Sequence, residues 1–404
     1  MEKILNVPVL GSFISDLKRD NIVQYTFPYY LIIFLYALLY ISYSLGNAFI
    51  LAWIVFGGVT FLDYYLKHDL QNPTKEEQRK MKKEFKYKIP IIITIALDWI
   101  SLIWGVREIV YGDHGYLNKF GLLFAISVFQ GSSINISHEI NHKLSNWERI
   151  LGTFNLAKNF YSHFLIEHNE GHHKMVATPT DPATSKFGQT LYEFYPQSIN
   201  GGYISAWQIE NRLCKEKYGT AFTPKNKMIY FTVSNLLIPA SLWFLFNWRV
   251  MAIQLIIGVT SVFYLEAINY IEHYGLERKQ LADGSFENVN IRHSWNAPHR
   301  FSNYILFKLQ RHSDHHENAL KPYQTLCSYD DSPLLPSGYA ACLLLSFFPK
   351  FWFEIMNPLV EVYKKGEKPS AELLQRSEAL MGKFVFGVNV VFLFLVTLTH
   401  FTSY

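Results

Sequence analysis

Six stretches of about 20 mostly apolar residues recur along the chain: roughly Phe27 to Gly46, Asn47 to Leu66, Ile89 to Tyr111, Phe120 to Ser137, Lys227 to Asn247 and Val250 to Tyr270. That length lets a helix cross the hydrocarbon core of a bilayer. In lipid, a spanning segment must satisfy its own backbone hydrogen bonds, which a helix does and an open sheet edge does not. The expected fold class is therefore an all-α integral membrane protein, a bundle of about six transmembrane helices. Composition agrees. Of the 404 residues 50% are hydrophobic, 17% aromatic and only 17% charged, against about 25% charged in ordinary soluble domains. The first residues show no basic segment, short apolar run and small-residue cleavage site in succession, so no removable signal peptide is expected.

Charge orients the bundle. The stretch from Lys67 to Lys88 also carries Lys75, Arg79, Lys80, Lys82, Lys83 and Lys86, whereas the loops on the other side offer little beyond Lys119 and Arg249. By the positive-inside rule the lysine-rich loop is cytoplasmic. Connections near Leu45 to Ala48 and Asn247 to Arg249 are short enough to make antiparallel hairpins. Threading six spans from this anchor gives a single membrane domain over 1–404. Its parts are a bundle over 27–270, a cytoplasmic insert over 138–226, a cytoplasmic cap over 271–384 and a hydrophobic tail over 385–404. Within the tail, Val385 to Thr399 is apolar apart from Asn389, which suits either a seventh span or an interfacial helix.

Nine of the fifteen histidines fall into four clusters beside carboxylates. They are His138 and His142 in HEINH, His168, His172 and His173 in EHNEGHH, His273 in IEH, and His312, His315 and His316 in HSDHH. Spacings of three and four put side chains on one face of a helix, and imidazole is a common ligand of iron, zinc and copper. On the six-span topology every cluster emerges on one membrane face. A lone His273 is more often an interfacial histidine with a satisfied hydrogen bond, and one H-x-x-x-H pair is often surface decoration. Three multi-histidine motifs on one face outweigh coincidence. Nine imidazoles exceed the four ligands of one zinc and imply two metals. Glu139, Glu167, Glu170, Glu272 and Asp314 adjoin the ligands and are the expected outer partners, holding ring N–H groups and offsetting metal charge. His68, His114, His163, His293, His299 and His400 are isolated and are not expected to bind metal.

Other chemistries find little support. Cys214, Cys327 and Cys342 lack any C-x-x-C spacing, so no four-cysteine cluster can form within the chain. A formal net charge of +4 concentrated near membrane ends suits anionic lipid rather than nucleic acid.

The strings SHEINHK (Ser137 to Lys143), EHNEGHHK (Glu167 to Lys174), NYIEHYGL (Asn269 to Leu276) and LQRHSDHHENALKPYQ (Leu309 to Gln324) resemble the signature motifs of AlkB-type alkane 1-monooxygenases. These are membrane-bound non-heme di-iron enzymes of the fatty acid desaturase and hydroxylase superfamily. ATPTDPATSKFG (Ala177 to Gly188) and HSWNAPHRFSN (His293 to Asn303) agree as well, and the likeness runs from about Asp63 to Pro336. Glu317, Asn318, Ala319 and the tail beyond Lys383 depart from the family's pattern. The resemblance implies terminal hydroxylation of medium-chain n-alkanes to primary alcohols, using O2 at two iron ions held by the nine clustered histidines. It also implies electrons from reduced rubredoxin, supplied by an NAD(P)H-dependent reductase. Without paired C-x-x-C motifs here, that rubredoxin is expected to be a separate protein docking on the cytoplasmic cap. The expected location is the cytoplasmic (inner) membrane, with the active site on its cytoplasmic side. Trp53, Phe56, Trp99 and Trp104 are possible walls of an alkane cavity or plain packing aromatics.

Two other readings stand beside this one. A related enzyme could act on another apolar chain, as a xylene methyl hydroxylase or a fatty acyl desaturase. A histidine-rich metal transporter would instead place ligands near the bilayer midplane on broken helices.

Overall fold

A computed structural model describes residues 26–143 and 145–402. The expectation about a signal peptide concerns the first residues of the chain and lies outside this range. Among the described residues the regular structure is all helix, with only isolated β-bridges between loops.

Seven helices are long and apolar enough to cross a membrane. In chain order the principal helices are α1 (Leu31–Ser44), α2 (Phe49–Leu66), α3 (Lys88–Tyr111), α4 (Tyr116–Asn141) and α5 (Asn146–Ala157). Then come α6 (Leu191–Tyr218), α7 (Lys227–Leu245), α8 (Trp248–His273), α9 (Tyr339–Ser346), α10 (Pro349–Lys364) and α11 (Ala371–Thr402). The six expected spans are α1, α2, α3, α4, α7 and α8. Val385 to Thr399 belongs to one helix of 32 residues, α11, the seventh helix among the described residues that is long and apolar enough to cross a membrane. It is tied to α2 at mid-length, where Trp53 Nε1 donates to Asn389 Oδ1 (3.1 Å).

Local chemistry sets the helix ends. Pro90 sits in the first turn of α3, where its missing N–H costs nothing. The Asn247 side chain accepts from the N–H groups of Arg249 and Val250 and so turns the α7–α8 hairpin. Thr190 and Glu193 form a reciprocal capping box at the start of α6, and Gly219 ends it with a positive φ of 77°.

Two features hold the bundle around the site. At Gly131 on α4, an added Cβ would meet Tyr264 of α8 at 2.5 Å. The absent side chain lets α4 and α8, which carry His138 and His273 at their ends, pack closely. The second feature is polar. Asp98 in α3 pairs with Lys158, accepts from Gln130 Nε2 of α4 (2.7 Å) and from the Tyr36 hydroxyl of α1 (3.2 Å). Both charges are buried. Removing one partner of such a pair strands the other, a loss of about 3–5 kcal/mol.

Candidate metal centre

The nine histidines of the four sequence clusters meet in two groups. The first gathers His138, His142, His168, His173 and His315, the second His172, His273, His312 and His316. Within each group the ring nitrogens lie within 4.8 Å of one another. His68, His114, His163, His293, His299 and His400 lie outside both.

The backbone explains how one segment serves both groups. His138 and His142, four apart at the end of α4, share the first group, and His312 and His316, also four apart, share the second. The segment Glu167–His172 breaks that rule because it is a π-helix. Its wider turn brings His168 and His173, five residues apart, to the same group with Nε2 atoms 2.9 Å apart, and sends His172 to the other. Three histidines with a spacing of four and an added neighbour allow this segment to serve two metals at once; a regular helical turn would pair His168 with His172, whereas here His168 shares its group with His173. His315 likewise leaves its neighbour His316 for the opposite group.

The nitrogen contacts are not hydrogen bonds in disguise. His173 Nε2 lies 2.9 Å from His168 Nε2, 3.1 Å from His315 Nε2 and 3.2 Å from His142 Nε2. A ring nitrogen either donates once or accepts, so one atom cannot satisfy three nitrogens that each offer the same choice. Burial pushes His142, His168, His173 and His315 well below the ordinary imidazole value, leaving neutral rings. Their ring nitrogens gather within 4.8 Å of one another, as the ligands of one cation do. Neighbouring nitrogens about 2.1 Å from a common metal would lie about 3 Å apart, close to the spacing observed. The donor set fits a non-heme metal site.

The second group repeats this geometry with carboxylates at its edge. His312 Nε2 lies 3.2 Å from His273 Nε2 and 3.0 Å from His316 Nε2. Asp181 Oδ2 receives His172 Nδ1 at 2.8 Å, with the Asp181 carboxylate also accepting from Thr184 and the Ala183 N–H. In the metal-free chain burial opposes protonation of His172, but the Asp181 carboxylate outweighs it and pushes this histidine up to about 9. Glu272 Oε2 stands 3.3 Å from His312 Nε2.

Asp181 is the residue that sequence reasoning missed. It has no histidine neighbour in the chain, and its one signal was its place in the string ATPTDPATSKFG. The five expected carboxylates divide. Glu272 touches the second group, and buried Glu167 lies nearby with an unpartnered Oε1, burial pushing it up to about 8. Glu139 pairs with Lys143 and accepts from the Tyr323 N–H. Asp314 accepts from Lys321 and the Cys327 N–H (both 2.6 Å). Glu170 pairs with Lys174 at the exposed surface. Glu139 and Asp314 thus brace segments that carry ligands, and Glu170 is spent on a surface pair.

An apolar cavity of about 60 Å³ lies between α1, α2, α4 and the turn at Ile305 and Leu306, lined among others by Phe56, Phe129, Tyr264 and Tyr339. Asn135, one turn before His138, donates to the Leu306 carbonyl (3.4 Å), and α4 thus carries both a wall of the cavity, up to Ser132, and, further along, His138. Of the other aromatics singled out in the sequence, Trp99 stacks on Phe154 and Trp104 packs on Tyr40 and Tyr43.

The model of the fatty acid desaturase family matches residues 116–355. The chain is 36% identical to alkane 1-monooxygenase 1 of Pseudomonas aeruginosa over 324 residues, 80% of this chain and 85% of that protein. It is also 36% identical to alkane 1-monooxygenase 2 of Alcanivorax borkumensis over 316 residues, 78% of this chain and 82% of that protein. The chain belongs to the alkane 1-monooxygenases. Similarity to the hydroxylase component of a Pseudomonas putida xylene/toluene monooxygenase is lower, 24% over 312 residues, 75% of this chain and 81% of that protein. The monooxygenase is thus an integral membrane oxidoreductase with a histidine-rich, non-heme metal site.

Proposed function

We propose that this monooxygenase hydroxylates the terminal methyl of medium-chain n-alkanes, giving primary alcohols, at a centre of two iron ions. The observation that carries this reading is the pair of imidazole groups at the ends of apolar helices, one of which, α4, also walls an apolar cavity. His138, His142, His168, His173 and His315 would hold one iron, and His172, His273, His312 and His316 the other. Bound iron supplies what no side chain can, activation of O2 and cleavage of an unactivated C–H bond.

The chain's own residues do the rest. An alkane dissolves in lipid, and the walls at Phe56, Phe129 and Leu306 orient its methyl end and exclude water by apolar contact alone. Asp181 fixes the His172 ring by holding its Nδ1, which leaves Nε2 free to ligate. Electrons come from a separate rubredoxin and its reductase. A cleft of about 290 Å³ reaches His142 and is rimmed by Trp147 and by lysines and glutamates that largely pair with one another, Lys88 with Glu148 and Lys143 with Glu139, a polar opening at which a separate donor would approach the first group. This face is cytoplasmic, the membrane being the inner one, with the ligand-bearing insert over 138–226 and cap over 271–384 on that side.

Membranes supplied with rubredoxin, reductase, NADH, a series of alkanes and isotope-labelled O2 test the proposal. The expected product is the labelled 1-alkanol. Unlabelled alcohol, or an alkene in its place, overturns it, and turnover with NADH but without rubredoxin overturns the separate donor.

A further inference from the structure

The apolar cavity at Phe56 and Phe129 has four hydroxyl-bearing residues in its wall, Ser132, Tyr264, Ser302 and Tyr339. What each hydroxyl binds separates them. Tyr264 and Ser132 bond to each other, and Ser302 Oγ accepts from Gln310 Nε2 (2.7 Å). Tyr339, the first residue of α9, donates instead to the Glu272 carboxylate. Glu272 Oε2 stands 3.3 Å from His312 Nε2, the same nitrogen that His312 turns toward His273 Nε2 (3.2 Å) and His316 Nε2 (3.0 Å). One phenol in the cavity wall thus reaches the second imidazole group through a single carboxylate.

The backbone aims this ring. The Tyr339 N–H donates to Gln310 Oε1 (3.3 Å), two residues before His312. Gly338 lets the turn into α9 close on α2, since a Cβ there would meet Asp63 Oδ2 at 2.6 Å. Asp63 in turn accepts from the N–H of Ser302 (2.9 Å), another wall residue. Tyr339 is buried, so its hydroxyl must find its partner inside the protein. The first imidazole group is served differently: the carboxylate beside His138, Glu139, is held by Lys143 and the Tyr323 N–H, neither of which lines this cavity.

We propose that Tyr339 is a positioning residue that couples the alkane cavity to one metal position only, the one formed by His172, His273, His312 and His316. Its ring is the wall and its hydroxyl holds Glu272 against His312. The coupling rests on the reading of this cavity as the alkane site. An alkyl chain there packs on the Tyr339 ring and restricts it, and a restricted ring keeps its hydroxyl on Glu272, which steadies the His312 ring as outer partners of metal ligands do. Alkane in the cavity therefore tightens metal binding at the second group, and by linkage metal at that group tightens alkane binding.

Iron-loaded, full-length protein in lipid nanodiscs, challenged with a chelator in the presence and absence of n-octane, tests this. Two phases of iron release are expected, and the phase that Asp181→Asn accelerates marks the second group. n-Octane should slow that phase at least about fivefold, the low end of ordinary coupling between sites, and leave the other within about twofold. Tyr339→Phe keeps the ring and removes the hydroxyl, so it should abolish the n-octane effect; a purely structural loss would speed release in both conditions and leave their ratio unchanged. Tyr264→Phe, which removes a hydroxyl from the same wall, should keep the effect. Slowing of the other phase, of both alike or of neither overturns the proposal, as does an n-octane effect that survives Tyr339→Phe or vanishes in Tyr264→Phe. Product analysis with rubredoxin and its reductase separates the two claims. If n-octane gives 1-octanol while release ignores n-octane, only the Tyr339 coupling falls; if n-octane gives no alcohol and slows neither phase, the alkane reading falls and takes the coupling with it.

Discussion

The two imidazole groups lie side by side and draw on the same segments, yet their surroundings differ in charge. The group of five is nitrogen throughout, and two of the carboxylates that adjoin it in sequence are spent elsewhere, Glu139 on Lys143 and a backbone N–H, Asp314 on Lys321 and the Cys327 N–H. The group of four has Asp181 on one ring and Glu272 beside another. A cation in a buried, low-dielectric site is stabilised either by many neutral donors or by fewer donors with anions behind them. The chain uses the first solution at one position and the second a few ångströms away. Their metals should therefore differ in what holds them.

The largest effect comes from removing a ligand. His315→Ala, in the group of five, and His316→Ala, its sequence neighbour in the group of four, should each leave about one iron per chain in place of two and reduce activity at least about 100-fold. Iron content measured beside turnover checks this. If His315→Ala and His316→Ala deplete the same iron, the division into five and four is wrong.

Next in size is Asp181→Asn, which keeps the shape and removes the charge. Loss of an outer partner of a ligating histidine typically costs about 10–100-fold in metal affinity or activity. Chelator challenge followed by iron analysis should then show one iron lost early and the other held as in the parent. Equal loss from both positions would erase the contrast between the groups.

How much of this was legible beforehand depends on whether a signal is local in the chain. The spans α1 to α4, α7 and α8 were readable because each is a continuous apolar run, and the nine histidines because they cluster. The assignment of each histidine to its group was not, since it turns on a π-helix at Glu167–His172 that converts a spacing of five into a shared site. Asp181 was hidden because its partner His172 is nine residues away with no periodicity joining them. Glu139, Glu170 and Asp314 looked like outer partners by adjacency alone, and adjacency does not report that a lysine is nearer. The tail was ambiguous for another reason: Asn389 interrupts its apolar run, and only the structure gives that amide a partner, Trp53.

Proton competition gives the third contrast. Burial keeps His142, His168, His173 and His315 neutral, so above about pH 7 metal entering the group of five displaces no proton from them. His172, held up at about 9 by Asp181, is protonated in the metal-free chain at pH 7 and must lose that proton on binding. Affinity at the group of four should rise about tenfold per pH unit from about 7 to 9 and then level off. The sign for the metal-free fold is opposite. A raised histidine pKa adds stability that is full below the unfolded value of about 6.5 and is lost as pH rises through about 9. Metal titration of the stripped protein at several pH values, with Asp181→Asn expected to flatten the rise, decides it.

The smallest effects come from carboxylates that adjoin ligands in sequence but bind elsewhere. Glu139 fixes Lys143 and the Tyr323 N–H, and so holds the end of α4, which carries His138 and His142, against the segment after His316. Glu139→Gln keeps an acceptor for Tyr323 and loses the ion pair, so iron should stay at about two per chain with activity down only a few-fold. Glu170 is exposed and bonded only to exposed Lys174, an arrangement worth about 0–1 kcal/mol. Glu170→Gln should match the parent within about twofold. The pair thus tests whether the group of five needs an anion at all: if Glu139→Gln empties that group as Asp181→Asn empties the other, both positions depend on carboxylates, and the difference between them is one of distance rather than of kind.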